Sequence, residues 1–323
     1  MIERTAYRQE ILRQLKASPI VSLLGPRQAG KTTLARQISQ DRPAHFFDLE
    51  DPVSLARLAA PMSALQPLKG LVVVDEVQRM PELFPLLRVL ADRKPLPARF
   101  LILGSASPSL VRGVSESLAG RVSFVDLAGF DLTEVGAARW RRLWWRGGFP
   151  LSFLAPSDEA SERWRRDFVR TFLERDLPQL GITTPSATLR RFWAMLAHFH
   201  GQVWNAAEFA RSLEASEPTA RRYLDILSGA FVVRQLPPWF ENLAKRQVKA
   251  PKIYIRHCGL LHCWLELASF AALEGHPKRG ASWEGFALAL ADALRDLGFQ
   301  LTEEQCQDLE RGKDFVQLKN GPV

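Results

Sequence analysis

The chain is poor in cysteine and has no long apolar run. It has only three cysteines, Cys258, Cys263 and Cys306. So small and odd a number argues against a framework of disulfides. The amino-terminal residues MIERTAYRQEILRQL lack the apolar core of a secretion signal. No window approaches the roughly 18 consecutive apolar residues of a membrane-spanning helix. These absences predict a protein of the reduced cytoplasm without a membrane span.

Lysine is also scarce, because only ten of the 43 basic residues are lysine. The formal net charge of +8 makes nucleic acid a candidate partner through counterion release. An excess of arginine often reflects genomic base composition, however, so charge alone does not choose the partner. Hydrophobic residues at 46% and charged residues at 24% are ordinary for a globular protein and exclude a disordered chain.

Apolar runs and helical patterns alternate along the first half of the chain. Helical patterns at 33–39 and 83–90 separate runs that predict buried strands, at 20–24, 44–49, 71–75, 99–104 and 122–127. This alternation predicts an α/β domain over residues 1–155, with a parallel sheet covered on both faces.

A mostly helical domain is predicted over residues 156–270, and the length leaves 271–323 as the remnant of a third domain. Ser216 is predicted to cap a helix that has Pro218 in its first turn and Ala220, Tyr223, Leu224 and Leu227 on its apolar face. A helix precedes it and a strand over 231–236 follows. This order predicts a winged-helix unit.

The segment GPRQAGKT, residues 25–32, fits G-x-x-x-x-G-K-[ST] between a predicted strand and a predicted helix. In such a loop, backbone N–H groups and the positive end of the helix surround an anion. Lys31 is predicted to reach the β- and γ-phosphates, and the Thr32 hydroxyl to ligate Mg²⁺. The predicted nucleotide-binding residues are Gly25, Pro26, Arg27, Gln28, Ala29, Gly30, Lys31, Thr32 and Thr33, with Thr33 outside the metal shell.

A second motif, LVVVDEVQ, places Asp75 and Glu76 at the end of an apolar strand. Asp75 is predicted to hold Mg²⁺ through water, and Glu76 to orient or deprotonate the attacking water. Adjacent acids at a strand end are otherwise uncommon, because one of them must face the sheet.

Two further residues are candidate catalytic groups with open alternatives. Ser105 ends the strand in FLILGSAS, where it can approach the γ-phosphate, but the same residues suit an ordinary turn. Arg121 in SESLAGR can stabilise charge on the transferred phosphoryl group, in cis or across a subunit interface. The alternative for Arg121 is a solvated side chain at the start of a strand.

Several stretches resemble the AAA-type ATPases of bacteria and archaea that carry a C-terminal domain of unknown function. The stretches are LLGPRQAGKTTLARQI, FFDLEDP, VVVDEVQRMPELFPLLR, LILGSASPSL, SESLAGRV and, further on, FLERDLPQLGI, PTARRYLDIL and GLLHCWLEL. The resemblance covers residues 4–290. It implies a P-loop NTPase sheet in the strand order 5-1-4-3-2, with ATP and Mg²⁺ as cofactors. Ser105 matches one of the family's nucleotide motifs, and Arg121 its Gly-Arg position.

The chain departs from the family pattern in two places. Family members usually continue into a nuclease-like fold with an Asp and a later Glu-x-Lys, whereas only Asp314 has a match here. A truncated carboxyl terminus without nuclease activity is therefore expected. His257 stands where the family tends to carry Asp, which weakens the case for a polar role at that position.

Two clusters in the second half of the chain each have a functional and a structural interpretation. His257, Cys258, His262 and Cys263 suggest zinc, but four ligands within seven residues cannot surround one ion, so burial is favoured. The segment RWRRLWWRGGFP suggests a surface for stacking bases. Its Trp140, Leu143 and Trp144 fall at helical spacing, however, which favours a core stripe.

The predicted second helix of the winged-helix unit supplies the candidate DNA contacts. Thr219, Arg221 and Arg222 project away from its apolar face. Lys245, Arg246 and Lys249 could add phosphate contacts from the wing. The alternative is a winged helix used only for packing against protein, and the residues do not choose between the two.

The sequence as a whole predicts a Mg²⁺-dependent ATPase coupled to a winged-helix domain that acts on DNA or on a protein. A homo-oligomer follows if Arg121 acts across a subunit interface. A nucleotide-gated DNA-binding regulator with negligible turnover is the alternative. A third possibility is a purely interacting protein that has lost the family's output.

Overall fold

A computed structural model describes residues 2–105, 108–238 and 250–296. The basic residues Lys245, Arg246 and Lys249 lie outside the described residues, and so do Cys306 and Asp314. The expected third domain at 271–323 is therefore described only through its first helices.

The chain divides into two compact units, Met1–Ala128 and Gly129–Val323. This division precedes the predicted boundary at residue 155, because the intervening segment packs within the second unit. Trp144 lies edge-on to Trp283 with ring centroids 4.9 Å apart, and Trp145 stacks on His262 at 5.2 Å. Trp144 and Trp145 are thus buried within the second unit.

The first unit alternates strands with helices, as the apolar runs predict. In chain order its elements are α1 (Thr5–Ala17), β1 (Ile20–Gly25), α2 (Lys31–Ser39), β2 (Ala44–Asp48), α3 (Pro52–Arg57), α4 (Pro61–Leu65), β3 (Gly70–Asp75), a 3₁₀ turn (Val77–Arg79), α5 (Leu83–Ala91), β4 (Ala98–Ser105), α6 (Pro108–Ser117) and β5 (Val122–Asp126). The buried stripe of α5 consists of Leu83, Phe84, Leu87 and Leu90.

All five strands form one parallel sheet in the order β2-β3-β4-β1-β5, which confirms the expected strand order. Every residue of the interior strand β1 is buried, as expected when helices cover both faces. Because parallel strands end at the same edge of a sheet, Gly25 pairs with Ser105 and Asp48 pairs with Asp75 at the carboxyl edge. The motifs that end these strands therefore share one edge.

The second unit is mostly helical. In chain order its elements are α7 (Leu132–Val135), a 3₁₀ turn (Ala137–Arg139), α8 (Trp140–Arg146), α9 (Pro150–Phe153), α10 (Asp158–Thr171), a π-helix (Phe172–Asp176), α11 (Leu177–Gln179), α12 (Ser186–His198), β6 (Gln202–Val203), α13 (Ala206–Ser212), α14 (Glu217–Gly229), β7 (Val233–Leu236), β8 (Lys252–Ile255), α15 (Cys258–Trp264), α16 (Phe270–Glu274) and α17 (Arg279–Asp296).

The strands of the second unit form a small antiparallel sheet in the order β6-β8-β7. The Ser216 side chain accepts from the backbone N–H of Thr219 and caps α14, as the sequence predicts. Ala220, Leu224 and Leu227 of α14 join Phe209 in one large hydrophobic core. Among the described residues, no helix is both long enough and apolar enough to cross a membrane.

Candidate functional site

The loop between β1 and α2 is shaped by two glycines. Gly30 has a φ of 93° directly before α2, a conformation that side chains disfavour. At Gly25, a Cβ would lie 2.1 Å from the carbonyl oxygen of Leu127, so only glycine fits there. Gln28 has a φ of 63° as well. The loop therefore leaves β1 and enters α2 through positions that other residues cannot take without strain.

Lys31 is the first residue of α2, and its side chain turns back into the loop. Its Nζ donates to the carbonyl oxygens of Gly25 at 3.0 Å and Pro26 at 2.8 Å. The residue is buried, with 5% of its surface exposed. A helix of nine residues begins at Lys31. The first N–H groups of a helix have no acceptor within the helix, so these groups and the ammonium group are suited to bind an anion at the loop.

Thr32 and Asp75 join the loop to β3. The Thr32 hydroxyl donates to a carboxylate oxygen of Asp75 at 2.6 Å, and the N–H of Glu76 donates to the other oxygen at 2.9 Å. Burial raises the pKa of Asp75, while the bond from Thr32 opposes this rise. A hydroxyl and a carboxylate so placed are oxygen ligands of the type that Mg²⁺ takes. Thr33, by contrast, is exposed.

Glu76 directly follows β3 in a strained conformation, with φ 54° and ψ 43°. Its carboxylate accepts a hydrogen bond from the side-chain amide of Gln78. Non-glycine residues held in this region of φ and ψ cluster at functional sites, because the surrounding structure must offset a cost of about 1–3 kcal/mol. The backbone of Glu76 is therefore held so that its side chain stands beside Asp75 at the carboxyl edge.

Ser105 ends β4 next to Gly25. It is buried, with 3% of its surface exposed, and its Oγ has no hydrogen-bond partner within the part of the chain that the structure describes. Buried hydroxyls are normally hydrogen-bonded, and an exception calls for an explanation such as a missing ligand. A polar ligand at the loop would supply that partner, so the site fits a nucleotide.

Arg121 lies at the amino ends of the parallel strands, opposite the carboxyl ends where the phosphate loop begins. Its carbonyl oxygen accepts from the N–H of Ile20, which begins β1, whereas the phosphate loop follows the end of β1. The strand between them spans about 16 Å, so Arg121 cannot reach phosphates at Lys31 of its own chain. Its guanidinium donates to both carboxylate oxygens of Asp92, at 2.6 and 2.8 Å, and these bonds lower the pKa of Asp92. This position is incompatible with a role in cis, whereas it is compatible both with a role across a subunit interface and with a partly solvated side chain at the start of β5.

A group of charges that the motifs do not predict lies beside the loop. Glu50, which follows β2, pairs with Arg27 of the loop at 3.1 Å and with Arg79 at 3.5 Å. One carboxylate thus links three segments of the carboxyl edge. The signal was present in FFDLED, because a residue after a parallel strand lies at the same edge as the loop.

Two family profiles match the chain. An AAA domain matches residues 17–136, and a domain of unknown function (DUF8612) matches residues 137–271. Uncharacterized proteins of Mycobacterium bovis and Mycobacterium tuberculosis are each 57% identical to it over 294 residues, covering 91% of this chain and 67% of each relative. The chain belongs to the AAA-type P-loop ATPases with this C-terminal domain.

A solved structure has the same fold as this AAA-type ATPase. The Walker-type ATPase of Pyrococcus abyssi has a TM-score of 0.58 at 15% identity, covering 82% of this chain and 96% of that chain. At this identity the likeness shows the fold alone. The profile boundary after residue 136 lies between the predicted boundary at 155 and the structural division after Ala128.

The three candidate DNA contacts on α14, Thr219, Arg221 and Arg222, differ in the side chains that surround them. Arg221 pairs with Glu217 one turn before it at 3.5 Å, and its guanidinium lies 5.6 Å from the ring centroid of Trp204. Thr219 shares a hydrogen bond with Ser216 at 2.8 Å. Arg222 is exposed on α14. Asp225 lies one turn after Arg221, so two carboxylates flank the Arg221 guanidinium along α14.

The His and Cys cluster is occupied by protein contacts. His262 donates from Nδ1 to the carbonyl oxygen of Trp145 at 3.0 Å, and its Nε2 accepts from the Ser282 hydroxyl at 2.8 Å. His257 packs against Phe149 with ring centroids 4.2 Å apart. Burial raises the pKa of Cys258 to about 12, which disfavours the thiolate that binds metal. Across the described residues, no group of three or more His, Cys, Asp or Glu could hold a metal ion.

Proposed function

We propose that the first unit is a Mg²⁺-dependent ATPase site whose nucleotide state controls the second unit. The observation that carries this proposal is the convergence of five side chains at one edge of the sheet. Lys31 lies inside the loop, Thr32 bonds to Asp75, Glu76 stands beside Asp75, and the buried Ser105 hydroxyl lacks a partner among the described residues. Each of these groups has a matching part in ATP hydrolysis.

The chemistry assigns one part to each group. Lys31 binds the β- and γ-phosphates, and Thr32 and Asp75 hold Mg²⁺, which neutralises phosphate charge when bound. Glu76 orients the attacking water and accepts its proton. The Ser105 hydroxyl donates to the attacking water or to the γ-phosphate. The remaining loop residues, Gly25, Pro26, Arg27, Gln28, Ala29, Gly30 and Thr33, surround the phosphates with their backbone.

Arg121 has a catalytic role only if its side chain reaches the nucleotide site of a second subunit. We propose a homo-oligomer in which Arg121 reaches the site of a neighbouring chain and stabilises charge on the transferred phosphoryl group. Its position at the amino edge, away from its own loop, supports this arrangement. The pair with Asp92 holds the guanidinium until that interface forms.

We propose that residues 186–255 act as a winged helix on DNA or on a protein partner. The order of α12, β6, α13, α14, β7 and β8 around an antiparallel sheet supports this interpretation. The exposed Arg222 supports a phosphate contact. The carboxylates of Glu217 and Asp225 beside Arg221 favour a protein contact on that face, because they would repel DNA phosphates.

The experiment that tests the proposal is release of phosphate from ATP with Mg²⁺, using Glu76→Gln as the blank. Wild type should turn over ATP, and Glu76→Gln should bind ATP but not hydrolyse it. Lys31→Ala should abolish binding, because the loop loses its ammonium group. Undiminished ATP affinity in Lys31→Ala by calorimetry would rule out the phosphate assignment. Tight binding without turnover in wild type would favour the nucleotide-gated DNA-binding regulator.

Measuring the binding of duplex DNA distinguishes a DNA partner from a protein partner. Arg222→Glu should reduce the salt dependence of duplex binding if α14 contacts phosphates. Arg163→Glu, an exposed arginine on α10, is the matched control for the change in charge. No duplex binding by wild type at low salt, with turnover intact, would leave a protein as the partner.

A further inference from the structure

Arg4 is a buried arginine that neither the motifs nor the proposed chemistry uses. It directly precedes α1, and 5% of its surface is exposed. Its guanidinium lies 4.8 Å from the ring centroid of Tyr7. A buried guanidinium cannot lose its charge, so it must find hydrogen-bond acceptors inside the protein.

One nitrogen of Arg4 bridges two distant segments. Its Nη1 donates to the carbonyl oxygen of Ala29 at 3.0 Å and to that of Ala128 at 3.1 Å. Ala29 belongs to the phosphate loop, and Ala128 is the last residue of the first unit. Arg4 therefore joins the loop to the point at which the chain leaves the first unit.

A second contact joins the same two segments without Arg4. The N–H of Leu127 donates to the carbonyl oxygen of Leu24 at 2.7 Å, directly before the loop. The carbonyl oxygen of Leu127 occupies the space that a Cβ at Gly25 would need, 2.1 Å away. The loop is thus held at both ends against residues 127–128, which we call the exit segment.

The bond to Ala29 also orients the loop. In a trans peptide, the carbonyl of one residue and the N–H of the next point in opposite directions. Because the carbonyl of Ala29 is directed at Arg4, the N–H of Gly30 is directed away from Arg4. That N–H belongs to the group of loop donors that must face a phosphate.

We propose that Arg4 is a positioning residue that fixes the phosphate loop against the exit segment and so transmits nucleotide binding to the start of the second unit. The inference rests on the proposed nucleotide site. Arginine suits this task because its planar guanidinium can hold two carbonyl oxygens in one fixed arrangement, whereas an ammonium group is a point charge on a flexible stem.

The test compares Arg4→Lys with Arg8→Lys, a change at a half-exposed arginine one turn further along α1. Affinity for ADP and for a non-hydrolysable ATP analogue is measured by calorimetry, and hydrogen exchange is followed at the exit segment. In wild type and Arg8→Lys, bound nucleotide should slow exchange of the Leu127 amide. Arg4→Lys should bind nucleotide about tenfold more weakly, because a charge-assisted bond is lost. At saturating nucleotide it should lack the exchange response.

The outcomes separate this inference from the proposed function. A wild type that binds no nucleotide contradicts the proposed function. A wild type that binds nucleotide but shows unchanged exchange at Leu127 overturns the role of Arg4, and this test needs no variant to fold. A full exchange response in Arg4→Lys at saturating nucleotide also overturns it.

Discussion

The hydroxyl of Thr32 lies 2.6 Å from a carboxylate oxygen of Asp75 and donates to it. This bond links the first turn of α2 to the end of β3, two segments that the chain separates by 43 residues. Asp75 is almost fully buried, so its carboxylate depends on the few donors that reach it.

Thr32→Val should remove Mg²⁺-dependent nucleotide binding while leaving the fold intact. Valine keeps the shape of threonine but offers no oxygen to a metal ion, and Asp75 keeps its bond from the N–H of Glu76. Calorimetry with and without EDTA measures the effect. Thr33→Val is the matched control, because Thr33 is exposed and outside the predicted metal shell. Equal Mg²⁺ dependence in both variants would contradict the assignment of Thr32.

Ser105→Ala should lower turnover by about 10²-fold with little change in nucleotide affinity, because one donor to the transition state is lost. Ser22→Ala is a close control. The Ser22 Oγ is also buried without a partner among the described residues, but it lies in the middle of β1 rather than at its end. Steady-state phosphate release compares the two, and equal losses would indicate a packing effect.

Arg121→Ala should lose roughly 10³-fold or more in turnover if Arg121 acts across a subunit interface. Mixing this variant with Glu76→Gln should then restore activity, because a neighbour with Arg121 can complete a site that retains Glu76. In a ring of randomly mixed chains, about a quarter of the interfaces would be complete. Arg88→Ala, an exposed change on α5, is the control. A mixture as inactive as its components would contradict the trans role.

Acid should destabilise the second unit through its buried histidines. Burial lowers the pKa of His200, His257 and His262 to about 3, against an ordinary value of 6.5. The unfolded chain therefore binds more protons as the pH falls below 6.5, and the free energy of unfolding decreases. Each histidine contributes a slope of up to about 1.4 kcal/mol per pH unit.

His262→Asn should remove one histidine's share of that slope and lower stability at pH 7, since its bond to Ser282 is lost. Urea unfolding between pH 7 and pH 4.5 measures both effects. His198→Asn, at an exposed position, should leave stability at pH 7 unchanged. A slope that stays the same in His262→Asn would contradict the account.

The sequence predicted the fold of the first unit because its signals are local. A strand buried on both faces reads as an apolar run, and each of the five runs became a strand of the parallel sheet. The structural division after Ala128 lies before the predicted boundary at 155, because the apolar stripe of Leu143 and Trp144 does not reveal which core it joins. The position of Arg121 could have been predicted from the sequence, because a residue that precedes a parallel strand lies at the opposite end of the sheet from a residue that follows one.

By itself, then, the sequence determined the strands of the first unit, the capped helix α14 and the types of residue at the phosphate loop. Only the tertiary structure decided that Glu50 joins Arg27 to Arg79, that Arg121 pairs with Asp92, and that Arg4 bridges Ala29 to Ala128. The physical reason is the range of the interactions. Periodicity and turn chemistry act over a few residues, whereas a buried charge selects its acceptors from whatever segments the packed sheet brings within about 3 Å.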